Sequence, residues 1–181
     1  STFKIVPLTA AVDQNTVSLW QEFNCENGSY TYAGHKIRDW DDFGILTMPQ
    51  IMENSSNVGV IKIAETLSQN NLYHYSRDMG FGMRTHISLG GEHPGTLHQV
   101  SEWSKISLAE VSLGHEVAVT ALQLGMAYAA IANGGILMKP RLLKQIITSS
   151  GKKVYSEKPE VIRKVATKEV MDIMTSMLCR V

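Results

Sequence analysis

The sequence predicts a mainly helical α+β domain that contains a short β-hairpin. Segments with apolar residues three or four positions apart alternate with loops rich in glycine and asparagine, and this pattern indicates helices joined by turns. Two apolar runs flank the turn-like residues 149–152, which is typical of a hairpin. The chain has 181 residues, 44% of them apolar and 19% charged. It is therefore long enough for one domain with a sizeable core, and its composition excludes a disordered tail.

The predicted elements follow from local signals along the chain. Pro7 lies inside the first apolar helical segment, so that helix is expected to kink or to begin late. Thr47 before Met48 and Pro49 is typical of an N-cap with proline in the first turn, and Thr167 is expected to cap the last helix. Helices are predicted over residues 2–12, 48–53, 58–67, 70–79, 121–132 and from 167 to about 179; strands are predicted within 14–47 and over 136–138, 142–148 and 153–156. The long connection over 82–103 is expected to be functional, since loops of that length are uncommon in compact domains.

Residues 117–138 contain no charged side chain and are the candidate for a membrane span. Thr120 predicts an N-cap, and Asn133 with Gly134 predicts a C-cap. The helix between them has about a dozen residues, fewer than the roughly 20 that crossing a bilayer requires. Because its apolar residues surround it almost completely, the pattern is that of a helix buried in a protein core.

The charge balance and the metal-binding residue types argue against several classes of function. Lysine plus arginine and aspartate plus glutamate both number 17, so no broad positive field attracts nucleic acid. Cys25 and Cys179 fit no metal or redox spacing; we interpret them as buried thiols, and a disulfide between them remains open. The six histidines include no H-x-x-x-H pair, so we predict neither a metal site nor a cofactor. The first residues carry no basic stretch before an apolar run, and no signal peptide is expected there.

Ser1 and Lys4 have the spacing that places two side chains on one face of a helix. A serine hydroxyl becomes a good nucleophile when a base takes its proton, and a desolvated, neutral lysine can be that base. The same spacing recurs at Ser149 and Lys152, where the predicted turn offers no helix to align the pair. Alone, the pattern is therefore weak evidence for catalysis.

A second polar cluster, Ser55-Ser56-Asn57, lies between two predicted helices. In such a loop a serine hydroxyl can relay a proton to a leaving amine, and the asparagine amide can bind a peptide carbonyl. The alternative is a simple capping loop, because serine and asparagine are favoured at helix starts. A similar Ser-x-Asn sequence occurs at residues 68–70.

The order of the two motifs and the residues around them strongly resemble class B penicillin-binding proteins, and the resemblance covers nearly the whole chain. A Ser-x-x-Lys at the start of an apolar helix, followed by a Ser-x-Asn loop, belongs to the motif set of penicillin-binding proteins and class A β-lactamases. The residues that carry the resemblance are Ser1-Thr2-Phe3-Lys4, Phe23-x-Cys25, Gly34-His35-x-Ile37-x-Asp39, Ser55-Ser56-Asn57-Val58-Gly59, Lys62-Ile63-Ala64, Gly80-Phe81-Gly82, Gly91-Glu92-x-x-Gly95, Val119-Thr120-x-Leu122-Gln123 and residues 128–135.

The resemblance implies a membrane-anchored D,D-transpeptidase that cross-links peptidoglycan stem peptides outside the cytoplasmic membrane. On this interpretation Ser1 is the nucleophile that forms an acyl-enzyme, Lys4 its base, Ser55 a proton relay and Asn57 a substrate ligand. β-Lactams would acylate Ser1, and elongation or division machinery would be the partner of the parent protein. The implied fold is the penicillin-binding and serine β-lactamase-like transpeptidase fold, whose centre is a five-stranded antiparallel sheet.

Two departures from the family pattern shape the expected boundaries. The third motif, Lys-Thr/Ser-Gly, is absent from the sequence, and the chain begins at the nucleophile. We therefore expect residues 1–181 to be an internal part of a transpeptidase domain that ends just before the third motif and lacks most of the sheet. Such a segment alone should not form a competent site, which labelling with a fluorescent penicillin would check.

Residues 112–116, Ser-Leu-Gly-His-Glu, differ from the family's Gly-Gln-Gly, and we interpret the difference as a neutral variant.

Two alternatives come from other functional classes. A β-lactamase-like hydrolase must hydrolyse its acyl-enzyme, but no glutamate fits the Glu-x-x-Leu-Asn loop of class A enzymes. Asn57 also differs from the valine that class D enzymes have at that position. A non-catalytic penicillin-binding sensor or scaffold is the other alternative, and the intact Ser1, Lys4, Ser55 and Asn57 argue against it.

Overall fold

The computed structural model of the protein describes residues 2–181. In that range the chain forms seven α-helices and ten short strands. The helices are α1 Ile5–Asp13, α2 Met48–Glu53, α3 Asn57–Ala64, α4 Gln69–Asp78, α5 Ser107–Leu113, α6 Ala121–Ala132 and α7 Lys168–Leu178. The strands are β1 Glu22–Asn24, β2 Ser29–Tyr32, β3 His35–Arg38, β4 Ile45–Thr47, β5 Thr96–Leu97, β6 Val117–Ala118, β7 Ile136–Met138, β8 Gln145–Ile147, β9 Lys153–Ser156 and β10 Val161–Lys164.

Helix α1 forms the centre of the molecule. Every residue from Ile5 to Val12 is buried, and α3, α4 and α7 pack around the helix. A 3₁₀ turn, Thr2–Lys4, precedes it, and Pro7 lies in its first turn, where a missing backbone N–H breaks no helical hydrogen bond. The expected late start of the helix is confirmed, and the buried helix holds Lys4 at its N-terminal end.

The strands pair two by two, and all of the pairings in residues 2–181 are antiparallel. The pairs are β1 with β4, β2 with β3, β5 with β6, β7 with β10 and β8 with β9. The predicted α+β class is confirmed, and so is the hairpin, in which β8 and β9 flank the turn. Strand β10 was not predicted, because its sequence Val-Ile-Arg-Lys lacks a clear alternation and its partner β7 lies more than twenty residues upstream.

The capping signals located helix ends well. Helix α2 begins and ends at the predicted residues. The Thr47 N–H donates to Gln50 Oε1 at 2.9 Å, completing a capping box. Thr120 and Thr167 accept backbone N–H groups of α6 and α7, as predicted from the same residue type. Where a cap and a proline are close in sequence, local chemistry is sufficient to place a helix.

Two helices show features that the sequence pattern did not indicate. Helix α5 was not predicted, since seven residues give too short a periodic signal; it forms because its apolar face packs on α3. Helix α6 is not covered on all sides within the described chain: Gln123, Ala127, Ala130 and Ile131 are buried, whereas the face bearing Ala121, Gly125 and Ala129 is exposed. Exposing alanine and glycine leaves little apolar area in water, so this face costs little free energy.

The two thiols occupy different environments. Cys25 is buried, as expected, but Cys179 is exposed, contrary to expectation, and both are free. Cys179 follows the last turn of α7, whose buried face is formed by methionine and valine instead. Across residues 2–181, each helix is too short or too polar to cross a membrane.

Candidate active site

Lys4 is a buried cation at the start of the central helix. The residue is only 2% exposed, and its Nζ contacts the loop between α2 and α3 and the first residue of α3. The ammonium donates to Ser55 Oγ at 3.0 Å, to Asn57 Oδ1 at 2.8 Å and to the Ser55 carbonyl. The structure thus brings together three of the four residues that the sequence singled out, and Ser1 lies outside the described residues.

Burial lowers the pKa of Lys4 to about 8, because removing the ammonium from water disfavours its charged form. The carboxylate of Asp39 acts in the opposite direction and keeps the pKa from falling further. At pH 7 about one molecule in ten then carries a neutral lysine, against about one in 2,500 at the ordinary pKa of about 10.4. Lys4 is therefore far better suited to act as a base than an exposed lysine.

The contacts of Lys4 also identify the group with which it can exchange a proton. The ammonium has three N–H groups, and the carbonyl and hydroxyl of Ser55 and the Asn57 amide oxygen supply three acceptors. When the amine is neutral it has a lone pair and only two N–H groups. Of the three acceptors, only the Ser55 hydroxyl carries a proton that it can donate back. Ser55 and Lys4 can therefore exchange a proton directly.

Ser55 has a left-handed backbone conformation, with φ +53°. The Ser55 N–H donates to the carbonyl of Met52 at 3.1 Å, and the Ser56 N–H donates to that of Ile51 at 3.1 Å. This pair of bonds is the Schellman motif that ends many helices, in which glycine usually occupies the left-handed position. A serine there costs free energy that glycine would not, and such strain is found mostly at functional positions.

Asn57 is oriented by a strand on the other side of the loop. Its Nδ2 donates to the carbonyl of Arg38, the last residue of β3, at 2.8 Å. Because the amide nitrogen is bound there, the amide oxygen must face Lys4. The second N–H of Nδ2 is then the group that can donate to a substrate carbonyl.

Asp39, which follows β3, is a site residue to which the sequence analysis assigned no role. Its Oδ2 accepts the Ser56 hydroxyl at 2.7 Å, and its Oδ1 accepts the N–H groups of Asn57 and of Val58, the latter at 3.1 Å. The signal available in the sequence was its place in the segment that resembles the family, Gly34-His35-x-Ile37-x-Asp39. Its partners are about eighteen residues away, and no local pattern indicates them.

Helix α5 ends against the residue that precedes Lys4. Gly114 has φ +85°, and a Cβ at this position would lie 2.7 Å from Cβ of Phe3. A larger residue there would push on the turn that holds Lys4. His115 belongs to residues 112–116, which depart from the family pattern. Its Nδ1 lies 2.8 Å from Oε2 of Glu110, a residue of α5, so its side chain contacts the helix that it follows.

The repeated motifs elsewhere in the chain lie apart from this cluster. Ser149 and Lys152 are exposed in the turn between β8 and β9, and Ser68 caps α4 by accepting the N–H of Asn71 at 3.1 Å. For the described residues, no group of three or more histidine, cysteine or acidic side chains is placed to hold a metal ion. Of the described residues that the two motifs singled out, Ser55 and Asn57 meet at Lys4 Nζ.

The family model of the penicillin binding protein transpeptidase domain matches residues 1–181. The chain belongs to this family, and the resemblance inferred from its motifs is confirmed. Stage V sporulation protein D of Bacillus subtilis is 32% identical over 171 residues, which are 93% of this chain and 26% of that protein. Penicillin-binding protein PbpB of Mycolicibacterium smegmatis is 32% identical over 165 residues, which are 90% of this chain and 25% of that protein.

Solved structures agree with the fold. Penicillin binding protein 3 from Mycobacterium tuberculosis, crystallised in complex with aztreonam, superposes with a TM-score of 0.89 at 27% identity, covering 98% of this chain and 40% of that one. A peptidoglycan glycosyltransferase from Burkholderia ambifaria gives a TM-score of 0.87 at 26% identity, with 99% and 54% covered. The chain spans about a quarter of the length of the curated relatives it matches.

Proposed function

We propose that the protein carrying this segment is a serine-type peptidoglycan D,D-transpeptidase. The observation that supports it is the buried Lys4, whose pKa is lowered to about 8 and whose Nζ contacts both Ser55 and Asn57. We assign Ser1 as nucleophile, Lys4 as its base, Ser55 as proton relay and Asn57 as substrate ligand. Residues 1–181 would form part of one transpeptidase domain. The names of relatives support the reaction class, among them the probable peptidoglycan D,D-transpeptidase PenA of Neisseria meningitidis.

In the first half-reaction, Ser1 Oγ attacks the carbonyl carbon between the last two D-alanines of a stem peptide. Its proton passes to the neutral Lys4 amine, and Asn57 Nδ2 binds a carbonyl of the substrate. As the C–N bond breaks, the leaving amine takes a proton from the Ser55 hydroxyl, which recovers one from Lys4. Free D-alanine leaves, and the rest of the peptide remains as an ester on Ser1.

In the second half-reaction, the amine of a neighbouring stem peptide attacks this ester. Its proton returns through Ser55 and Lys4 to Ser1 Oγ as the C–O bond breaks. The new amide is the cross-link, and the enzyme regains its starting protonation state. With a β-lactam, the amine formed by ring opening stays attached to the acyl group, so the adduct cannot lose it by diffusion.

Covalent labelling of the full-length protein tests this assignment. A penicillin should add its whole mass to one serine, and peptide mapping should identify Ser1. Ser1→Ala should abolish labelling, while the matched control Ser149→Ala, which has the same spacing to a lysine, should label normally. Labelling that persists in Ser1→Ala, or that depends on Ser149, would reject Ser1 as the nucleophile.

The fate of the adduct distinguishes the transpeptidase from its two alternatives. A transpeptidase should hold the penicilloyl group for many minutes and, given a stem peptide and an amine acceptor, should release D-alanine and form an amide. Rapid release of hydrolysed penicillin would indicate a β-lactamase-like hydrolase. A stable adduct without amide formation would indicate a sensor or scaffold.

The proposal extends to the location and partners of the parent protein. Its substrate lies outside the cytoplasmic membrane, so we propose a membrane-anchored protein whose catalytic domain is extracytoplasmic. Elongation or division machinery would be its partner. Proteolysis of spheroplasts, which reaches only the outer face, should digest this domain; protection until lysis would contradict the location.

A further inference from the structure

We propose that Asp39 is a positioning residue of this active site: its carboxylate holds the start of α3 so that Ser55 and Asn57 both face Lys4. The inference rests on the proposed function and adds to it a residue to which no role had been assigned. It is carried by the hydrogen bonds of one carboxylate that comes from a separate part of the chain, just after β3.

The first turn of α3 depends on this carboxylate for its backbone hydrogen bonds. The first four N–H groups of a helix have no partner within the helix. Here Asp39 Oδ1 accepts the N–H groups of Asn57 and Val58, and Ser56 Oγ accepts that of Gly59 at 2.9 Å. Since the Ser56 hydroxyl in turn donates to Asp39 Oδ2 at 2.7 Å, removing the carboxylate affects all three bonds.

The same bonds determine which way the catalytic groups point. Asn57 is held twice at the end of β3, through its backbone N–H by Asp39 and through its side chain by the carbonyl of Arg38. Ser55 precedes Ser56 directly and occupies a strained left-handed conformation. Asp39 accepts hydrogen bonds from the Ser56 hydroxyl and from the Asn57 N–H. Because it holds these two residues in place, it opposes relaxation of the strained backbone at Ser55.

The charge of Asp39 adds an electrostatic effect on the base. Of the charged groups on the elements packed against Lys4, Lys62 of α3 lies 2.5 Å from Glu26, and Glu110 of α5 lies 2.8 Å from His115. Asp39 is the charged group that raises the pKa of Lys4 against the effect of burial. Replacing this carboxylate by a neutral amide should therefore lower the pKa of Lys4 further.

Two substitutions in the full-length protein separate position from charge. Asp39→Asn keeps the size of the side chain, and its amide oxygen can still accept the backbone N–H groups. It loses the negative charge, and its amide nitrogen cannot accept a hydrogen bond from the Ser56 hydroxyl. Asp39→Glu keeps the charge and moves it by one methylene. The control is Asp42→Asn, which removes an exposed acidic side chain three residues further on. The measurement is the rate constant of acylation by a fluorescent penicillin between pH 5.5 and 9.5.

We expect the plateau of the acylation rate at high pH to fall at least tenfold in Asp39→Asn and in Asp39→Glu, because a small misplacement of reacting groups slows a reaction strongly. In Asp39→Asn the inflection of the pH profile should also move to lower pH, whereas Asp39→Glu and Asp42→Asn should keep it near 8. A plateau unchanged in Asp39→Asn would overturn the proposal. The proposal would also be overturned if a smaller fraction of Asp39→Asn were labelled while the acylation rate and the inflection of the pH profile stayed at their wild-type values. That result would indicate partial unfolding alone. Failure of the wild-type protein to label would instead reject the proposed function.

Discussion

At the strained Ser55, glycine should give a more stable domain than alanine, while activity is lost with either substituent. Ser55→Ala and Ser55→Gly both remove the hydroxyl that lies 3.0 Å from Lys4 Nζ. They differ only in the Cβ atom, at a residue with φ +53°. The comparison therefore isolates the backbone strain from the loss of the hydroxyl.

The magnitude follows from two opposing effects at this residue. A left-handed conformation costs a non-glycine residue roughly 1–2 kcal/mol. Glycine avoids that cost but loses about 0.4–1 kcal/mol more than alanine in backbone entropy on folding. Ser55→Gly should thus be about 0.5–1 kcal/mol more stable than Ser55→Ala.

Calorimetry of the full-length protein measures this difference, and Ser176 provides the matched control. Ser176 is exposed within α7, where glycine is about 1 kcal/mol less favourable than alanine. The order of the two variants should therefore reverse between the sites. Both Ser55 variants should acylate about a hundredfold or more slowly, since a positioned proton relay contributes at least that factor. Equal or greater stability of Ser55→Ala would refute the strain argument.

Three further changes test other parts of the structure. The acylation rate of the wild-type protein should rise about tenfold per pH unit below pH 8 and level off above it, because only neutral Lys4, with its pKa of about 8, accepts the proton; a constant rate between pH 6 and 9 would contradict this. Gln123→Leu should cost about 3 kcal/mol of folding free energy, since the buried side chain makes three hydrogen bonds, two of them to the carbonyls of Met83 and Pro94 in the 82–103 connection. Hydrogen exchange in that connection should become about a hundredfold faster, and the exposed control Gln21→Leu should leave it unchanged. Gly114→Ala should slow acylation, because the new Cβ would meet Phe3 beside the base; an unaltered rate would show that the turn can yield.

The candidate site was partly predictable because its two motifs carry residue types with specific chemistry. A serine and a lysine one helical turn apart, and a Ser-Ser-Asn loop fifty residues on, are visible in the sequence. Their meeting at Lys4 Nζ was a hypothesis, which the contacts of Lys4 with Ser55 and Asn57 now support. Asp39 was missed, because a carboxylate that caps a distant helix leaves no periodic or spacing signal near itself.

The fold, like the candidate site, was predictable from the sequence only in part. Helix α2 could be placed to the residue, since Thr47, Pro49 and Gln50 determine its start through contacts within four positions. Helix α5 and strand β10 could not be predicted, because each forms by packing or pairing with a partner far away in sequence. Short elements with weak intrinsic preference take their conformation from their tertiary partners.

By itself, the order of residues determined the helix caps, the α+β class, the family and the chemical groups available at the site, since each depends on residue type and short-range spacing. The tertiary structure alone decided that Lys4 is buried enough for its pKa to fall to about 8, that Ser55 is held in a left-handed conformation, and that the carboxylate of Asp39 binds Ser56 and the first N–H groups of α3. Solvation and hydrogen-bond geometry depend on atoms brought together from distant parts of the chain, and only folding creates that environment.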